Sequence, residues 1–542
     1  MKKWLRRISV LLLSAAVSLS VFAACAPKNP GDDDVDWTTL PDIDRSEKVT
    51  LTIWSPLEQW APDSTYDKNV IYQRAAEELN LELEFIHPPV GQETDQFNLM
   101  IVEKDLPDII FCGNWYPGGV QEGISHGIYR NVNDYLPKYA PDYYRRLTAN
   151  PDILREATMD NGDIGAVWGF AEYEEWCYSG PIFNKKALDA IGEDAPVTIE
   201  DWDRVLGKFK NELGMNSAFA IHPLGLQYLE QAIISAYGAA SGFIKDPATG
   251  EVKYGPAENG YIDYLNLIRG WYDKGYIPTS FTTNDWLTNV DNFKAMQTGV
   301  MFDNPQNAAT LLGEYGKDWI DAPYPVLNEG DKLQIRLKNW YVQSNNSAWN
   351  TCGVVTRSCE NLDRALDFLN WGFTDEGIMA YNYGTEGVTY NMVDGEPVFT
   401  DYLFDNDITG TDIYSALYRF KCHNGIFVRQ EKTANPLIQR YPENIGIMER
   451  WTEQAGTDAL LPPISYTRNE QQVIDLYFTD ITQYVEEQQM KFITGQTNDI
   501  SNTAVATYDS TFRANLTGMG IDDILGVVSS ALERYNERTS EE

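Results

Sequence analysis

Residues 49–111 switch repeatedly between a two-residue and a 3.6-residue hydrophobic period, and this alternation constrains the fold more than any other feature. "VTLTIW" (49–54) sets Val49, Leu51 and Ile53 against threonines, and "LELEFI" (81–86) sets apolar residues against glutamates. Each pattern predicts a strand with one buried face. "YDKNVIYQRAAEELN" (66–80) and "DQFNLMIVEKDL" (95–106) read as helices, and "PDIIF" (107–111) as a short buried strand. Strand–helix–strand–helix–strand is the order of an α/β layer, because parallel neighbours need a crossover long enough to hold a helix.

A second α/β set begins near residue 180. In "VTIEDWDRVLGKFKNEL" (197–213), Ile199, Trp202, Val205, Leu206, Phe209 and Leu213 share one helix face. Thr198 and Asp201 have the spacing of a capping box. "TGVMFD" (298–303) reads as a strand, and "ENLDRALDFLNWGF" (360–373) and "GIDDILGVVSSALERYNER" (520–538) as amphipathic helices. No internal repeat has a fixed period. At 542 residues the chain exceeds one ordinary core, so two domains are expected.

The N-terminus carries Lys2, Lys3, Arg6 and Arg7 before an apolar stretch from Ile8 to Ala24, the pattern of a secretory signal. No later segment reaches 18 uninterrupted apolar residues. "VFAAC" resembles a bacterial lipobox, with Phe22 where most have leucine, so Cys25 is the expected lipidated residue. Residues 26–48 hold Pro, Gly and six Asp and read as an extended tether. The whole chain has 80 acids and 42 bases, a net charge of −38. Loss of the four basic residues with the signal leaves −42. Such a surface repels nucleic acid and reaches an anionic membrane only through an anchor.

Five cysteines remain beyond Cys25: Cys112, Cys177, Cys352, Cys359 and Cys422. An odd number in so long a chain is no disulfide framework, although Cys352 and Cys359 could pair. His87, His126, His222 and His423 are scattered singly and suggest no metal site. Asp160-Asn-Gly-Asp163 suggests a calcium loop but lacks the spaced distal ligands, and a β-turn at Asn161-Gly162 is expected instead. HExxH, GxSxG and GxxxxGK[ST] signatures are read as missing, and no cofactor is expected.

The informative residues are aromatic. The chain has 15 Trp and 32 Tyr, several placed just past predicted strands beside acids and amides. Trp54 ends the first strand, with Glu58 and Trp60 after it, and Asn114 and Trp115 follow the third. Glu175, Trp176 and Tyr178 lie in "WGFAEYEEWCYSGPIFN", Asp303 and Asn304 end "TGVMFDN", and Asn346 and Trp349 lie in "NWYVQSNNSAWN". Ligands of open α/β sheets bind beyond the carboxyl ends of strands. Sugar rings stack their C–H faces on indoles and direct hydroxyls to carboxylates and amides, so these twelve residues are candidates for a carbohydrate site.

Several segments together resemble one family. They are "LPDI" (106–109), "FNKKALDAIGEDAPVTIEDWDRV" (183–205), Phe293 and Met296 before "TGVMF", "YGTEG" (383–387), and "KFITGQTNDISN…GMGIDDILGVVSSALERYN" (491–536). In this order they resemble the extracellular solute-binding proteins of ABC importers, family 1 or sugar-binding group, in lipoprotein form. The resemblance implies an α/β, two-lobed, periplasmic-binding-protein-like fold with a ligand cleft between lobes joined by crossing strands. The expected divisions are a signal (1–24), a tether (25–48), lobe 1 (49–170), lobe 2 (171–345) and returning segments (346–542). It implies a non-enzymatic, monomeric receptor that captures a carbohydrate, most simply an oligosaccharide, at the outer face of the cell membrane. Permease and ATPase subunits are its implied partners. The competing readings are a secreted glycoside hydrolase and a receptor of the same fold for a peptide or other small polar solute.

Overall fold

The computed structural model describes residues 35–538 except 58–60, 62, 64, 172–176, 178, 222–230, 334–350, 423, 424, 455, 457 and 497–501. In chain order the strands of the two larger sheets are β1 (Val49–Trp54), β2 (Leu81–Ile86), β3 (Ile109–Ile110), β4 (Val167–Trp168), β5 (Gly180–Asn184), β6 (Ser217–Ala220), β7 (Thr298–Asp303), β8 (Trp319–Asp321) and β9 (Cys352–Val355). They form two sheets, ordered β2-β1-β3-β9-β4 and β8-β5-β7-β6. Each sheet has its own core. One core draws on Leu51 to Phe170 and on Cys352 to Val428. The other draws on Cys177 to Leu333 and on Ile447 to Tyr535. Among the described residues the chain therefore passes from one core to the other three times, after Phe170, after Leu333 and after Val428.

The parallel expectation holds where helices connect strands. β1 pairs parallel with β2 and β3, and β7 with β6. It fails where a strand arrives from the other lobe. β9 runs antiparallel to β3 and β4, and β5 antiparallel to β7 and β8. A strand that enters a sheet from the cleft side runs opposite to those that leave through it, so both sheets are mixed.

Local signals act as expected in the second lobe. The helix Ile199–Asn211 closes its capping box: Asp201 N donates to Thr198 Oγ1, and Thr198 N to Asp201 Oδ2, both at 3.1 Å. Its apolar stripe is buried, and Phe209 lies directly on β7, where a Cβ on Gly299 would come within 2.2 Å of the ring. Only glycine lets helix and strand approach this closely. The helix Ile521–Glu537 likewise buries Ile521, Ile524, Val528, Leu532 and Tyr535.

The expected free tether over 25–48 requires correction. From Val35 onward the segment lies on lobe 1, because it carries enough apolar and charged groups to dock there. Leu40 and Ile43 pack on the first core, Val35 N donates to Asp134, and Lys138 pairs with Asp42. Arg45 makes a two-pronged contact with Asp367 at 2.7 and 2.8 Å.

Candidate functional site

The first lobe ends two strands side by side. Phe111 N donates to Trp54 O at 2.9 Å, and the chain then turns through a left-handed Cys112 into Gly113–Trp115. Gly113 is enclosed, since a Cβ there would meet both γ-methyls of Val354 within 2.5 Å, and Tyr129 donates its hydroxyl hydrogen to the Gly113 carbonyl. This fixes the course of the chain at Asn114 and Trp115, both half-buried. Trp54 is only 4% exposed, and its ring meets Phe97 and Trp115 edge-on at 5.5 and 5.9 Å. Burial against two rings makes Trp54 a wall that supports Trp115 rather than an open stacking platform.

In the second lobe β7 ends at Asp303, opposite Gly180, where β5 begins after the first crossing. Asp303 is 6% exposed. Its Oδ2 accepts from Trp286 Nε1 at 2.6 Å, and its Oδ1 from Asn304 N at 2.8 Å and Asn307 Nδ2 at 3.0 Å. Asn304 caps the helix Pro305–Leu311 by accepting from Asn307 N at 2.7 Å. Asn307 in turn accepts a 2.8 Å hydrogen bond from the Tyr414 hydroxyl, which stands on the helix Ile413–Phe420. That helix is bound to lobe 1: Arg419 pairs with Asp63, and Asn69 donates to Tyr418 O. Trp286, Asp303, Asn307 and Tyr414 thus form one chain of contacts from lobe 2 to lobe 1.

Asp303 has the chemistry of an organiser. All three contacts come from donors of its own lobe, and they hold the Trp286 ring and the Asn307 amide in place. Burial nevertheless outweighs these donors and pushes its carboxyl up from 3.8 to about 6. The folded chain then holds this proton more tightly than the unfolded chain. The corresponding stability is fully present below pH 3.8 and is lost as pH rises through about 6. The rise corresponds to about 3 kcal/mol. Urea midpoints measured from pH 4 to pH 7 should fall with this slope in the wild type, and Asp303→Asn should remove it. An unchanged slope in the variant would assign the titration to another group.

The remaining candidates Cys25, Glu58, Trp60, Glu175, Trp176, Tyr178, Asn346 and Trp349 lie outside the described residues. Sequence reading missed Trp286, Asn307 and Tyr414. Trp286 follows Asp285, which caps the next helix, and reads locally as a helix start. Tyr414 lies far along the chain, beyond the reach of any periodicity argument.

The turn expected at Asn161-Gly162 forms: Gly162 N donates to Met159 O, with Gly162 at φ +88°. Asp163 accepts from Asn131 and Asn161, and Asp160 faces two guanidinium groups, so neither carboxylate is free for a cation. No group of three or more metal-ligating side chains gathers among the described residues. The reading that GxSxG is missing requires correction, because Gly123-Ile-Ser-His-Gly127 spells it. Ser125 closes a helix there and donates to Glu122 O, with no strand before it, so the geometry of a nucleophile elbow is absent. Cys352 and Cys359 form no disulfide with each other, and both are buried, as are Cys112, Cys177 and Cys422. Cys352 lies by Cys112, whereas Cys359 lies by Asp108 and is pushed up to about 12 by burial.

No family model matches the chain. Lipoprotein LipO of Bacillus subtilis is 24% identical over 387 residues, covering 66% of this chain and 70% of its own length. The fructooligosaccharide ABC transporter substrate-binding protein FusA of Streptococcus pneumoniae is 24% identical over 324 residues, covering 56% of this chain and 59% of its own. The crystal structure of FusA in complex with kestose superposes with a TM-score of 0.72 at 16% identity, over 90% of this chain and all of that one. The alginate-binding protein AlgQ2, solved without calcium ion, superposes with a TM-score of 0.70 at 19% identity, over 92% of this chain and all of that one. The fold is therefore that of the two-lobed solute-binding proteins.

Proposed function

We propose that this chain, with the solute-binding-protein fold and carbohydrate-transport receptors among its relatives, is the substrate-binding lipoprotein of an ABC importer and captures an oligosaccharide. The observation that carries this reading is the inter-lobe chain Trp286–Asp303–Asn307–Tyr414. It joins an oriented indole, a buried carboxyl and an amide of one lobe to a phenol of the other. An indole held by its N–H keeps a fixed face for the C–H surface of a sugar, and each such stack contributes about 0.5–1.5 kcal/mol beyond burial. Asn304 and Asn307 supply amides beside it, and we assign Asn114 and Trp115 of the first lobe to the same cleft. Glu58, Trp60, Glu175, Trp176, Tyr178, Asn346 and Trp349 belong to the segments that follow strands or cross between lobes, and we assign them to the same site.

The receptor turns nothing over. Closure on the sugar provides the differential binding that shifts the lobes, and the closed form delivers its cargo to permease and ATPase subunits. Cys25 carries the lipid. With docking beginning at Val35, nine residues separate the anchor from lobe 1, a reach of about 30 Å when extended. Lobe 1 is then held close to the outer membrane surface. Among the described residues no helix is long and apolar enough to cross a membrane.

The test is thermal shift of the chain from Ala26 onward against oligosaccharides, amino acids and short peptides, followed by product analysis of each hit. A shift with an intact glycan supports the receptor, since a ligand that binds only the folded state raises the melting temperature. Glycan cleavage would replace this reading with a hydrolase, and a response to peptides alone would overturn the carbohydrate assignment.

A further inference from the structure

Side-chain contacts between the two lobes gather, among the described residues, at two places of opposite character. One is the Tyr414–Asn307 hydrogen bond, a neutral contact at 2.8 Å between two half-buried side chains. The other centres on Asp160, whose side chain is 9% exposed. Asp160 belongs to lobe 1, in the turn that follows Met159 of the first core. Its partners all belong to lobe 2. Asp160 Oδ1 accepts from Arg538 Nη2 at 2.7 Å, from Arg538 Nε at 2.9 Å and from Ser465 Oγ at 3.1 Å, and Oδ2 accepts from Arg534 Nε at 2.7 Å. Arg534 also makes a two-pronged contact with Glu470 at 2.6 and 2.8 Å, and Arg538 lies over the Tyr535 ring. Beside them Arg468 Nη1 stands 3.3 Å from His126 Nε2, again across the lobes.

Two carboxylates and two guanidinium groups balance in charge, and every oxygen of Asp160 and Glu470 is engaged. The turn itself is rigid: Met159 N donates to Asp163 O, and Gly162 N to Met159 O. Parting the lobes here would strip a buried carboxylate of four donors and leave Arg538, 3% exposed, without its counter-ion. The Tyr414–Asn307 hydrogen bond joins neutral groups, and water can replace it when the lobes part there. A rigid-body motion keeps its costly contact and breaks its cheap one.

We propose that the Asp160 cluster is the fulcrum on which the two lobes turn, and that the Tyr414–Asn307 hydrogen bond marks the edge that parts when the cleft opens. The inference rests on the proposed receptor only in requiring that the lobes move. Its test uses no sugar, so its failure is separate from failure of the carbohydrate assignment.

Spin labels on Val102→Cys in lobe 1 and Leu476→Cys in lobe 2, both exposed positions, report the inter-lobe distance by pulsed electron–electron double resonance. Tyr414→Phe should keep the two wild-type distances and shift their ratio about fivefold toward the open one, the expectation for loss of one neutral hydrogen bond. Asp160→Asn should move and broaden the distances themselves, because the axis is lost. If Asp160→Asn does not fold, Arg538→Lys, which keeps the charge and loses the two-pronged contact, gives the same reading. Wild-type distances and widths in the Asp160 and Arg538 variants would overturn the proposal, as would identical effects from both sites or a single distance that no substitution alters.

Discussion

Arg364→Met is expected to lower the stability of the first lobe by about 3–5 kcal/mol, the cost of leaving several buried carbonyls without their charged donor. Arg364 is 2% exposed on the helix Leu362–Trp371. Its Nη1 donates to the carbonyls of Asp44 at 2.9 Å and Glu47 at 3.2 Å. Its Nη2 donates to the carbonyls of Leu79 and Asn80. One side chain thus serves two segments: the docked N-terminal strap and the turn that starts β2. Methionine keeps the length of the stem and leaves these carbonyls without donors, each costing about 1–3 kcal/mol where water cannot replace the lost partner. Denaturant midpoints followed by a lobe 1 probe measure the loss, and hydrogen exchange should show amides 36–48 opening first. Arg364→Lys should retain part of the stability, since an ammonium cannot reach all four oxygens in the guanidinium plane. A loss below about 1 kcal/mol would mean that Arg364 is dispensable to the strap.

Trp286→Ala is expected to weaken oligosaccharide binding by about 30-fold or more, equivalent to about 2 kcal/mol. The indole loses its stacking face, and Asp303 loses one of three donors. Trp286→Phe separates the two effects: it keeps a ring and removes the N–H that orients it, so an intermediate loss is expected. Titration calorimetry with the glycan found in the ligand panel measures both variants. Trp54→Phe is the contrast. That residue is packed against Phe97 and Trp115, so its replacement should cost stability more than affinity. Unchanged binding by Trp286→Ala would remove the inter-lobe chain from the ligand site.

How far each feature was legible follows from the range of the force behind it. The capping box at Thr198 and Asp201, the buried stripe of Ile199–Asn211 and the alternation of β1 and β2 are set by residues within a few positions of one another. The family segments placed these elements in a two-lobed α/β fold, and the acidic balance and absent motifs narrowed the function. Strand direction was half legible. Helical crossovers announced the parallel pairs, while β9 and β5 run antiparallel because of where the chain re-enters each sheet. The docking of residues 35–48 was hidden because Leu40, Ile43 and Arg45 look like isolated residues in a polar stretch until lobe 1 gives them partners. Asp303 was singled out from its place after a strand, but its surroundings were not legible: only packing brings Trp286 and Asn307 onto its oxygens, and only burial raises its proton affinity. Asp160 shows the limit most clearly. In sequence it belongs to an Asn-Gly turn, which local geometry dictates; its partners Arg534 and Arg538 lie 374 and 378 residues away. The sequence by itself determined the elements, their amphipathic faces and the family they resemble, because these depend on neighbours along the chain. Which groups meet across the cleft, and which of those contacts can part, was decided by the tertiary structure, because burial and pairing exist only once both lobes have folded.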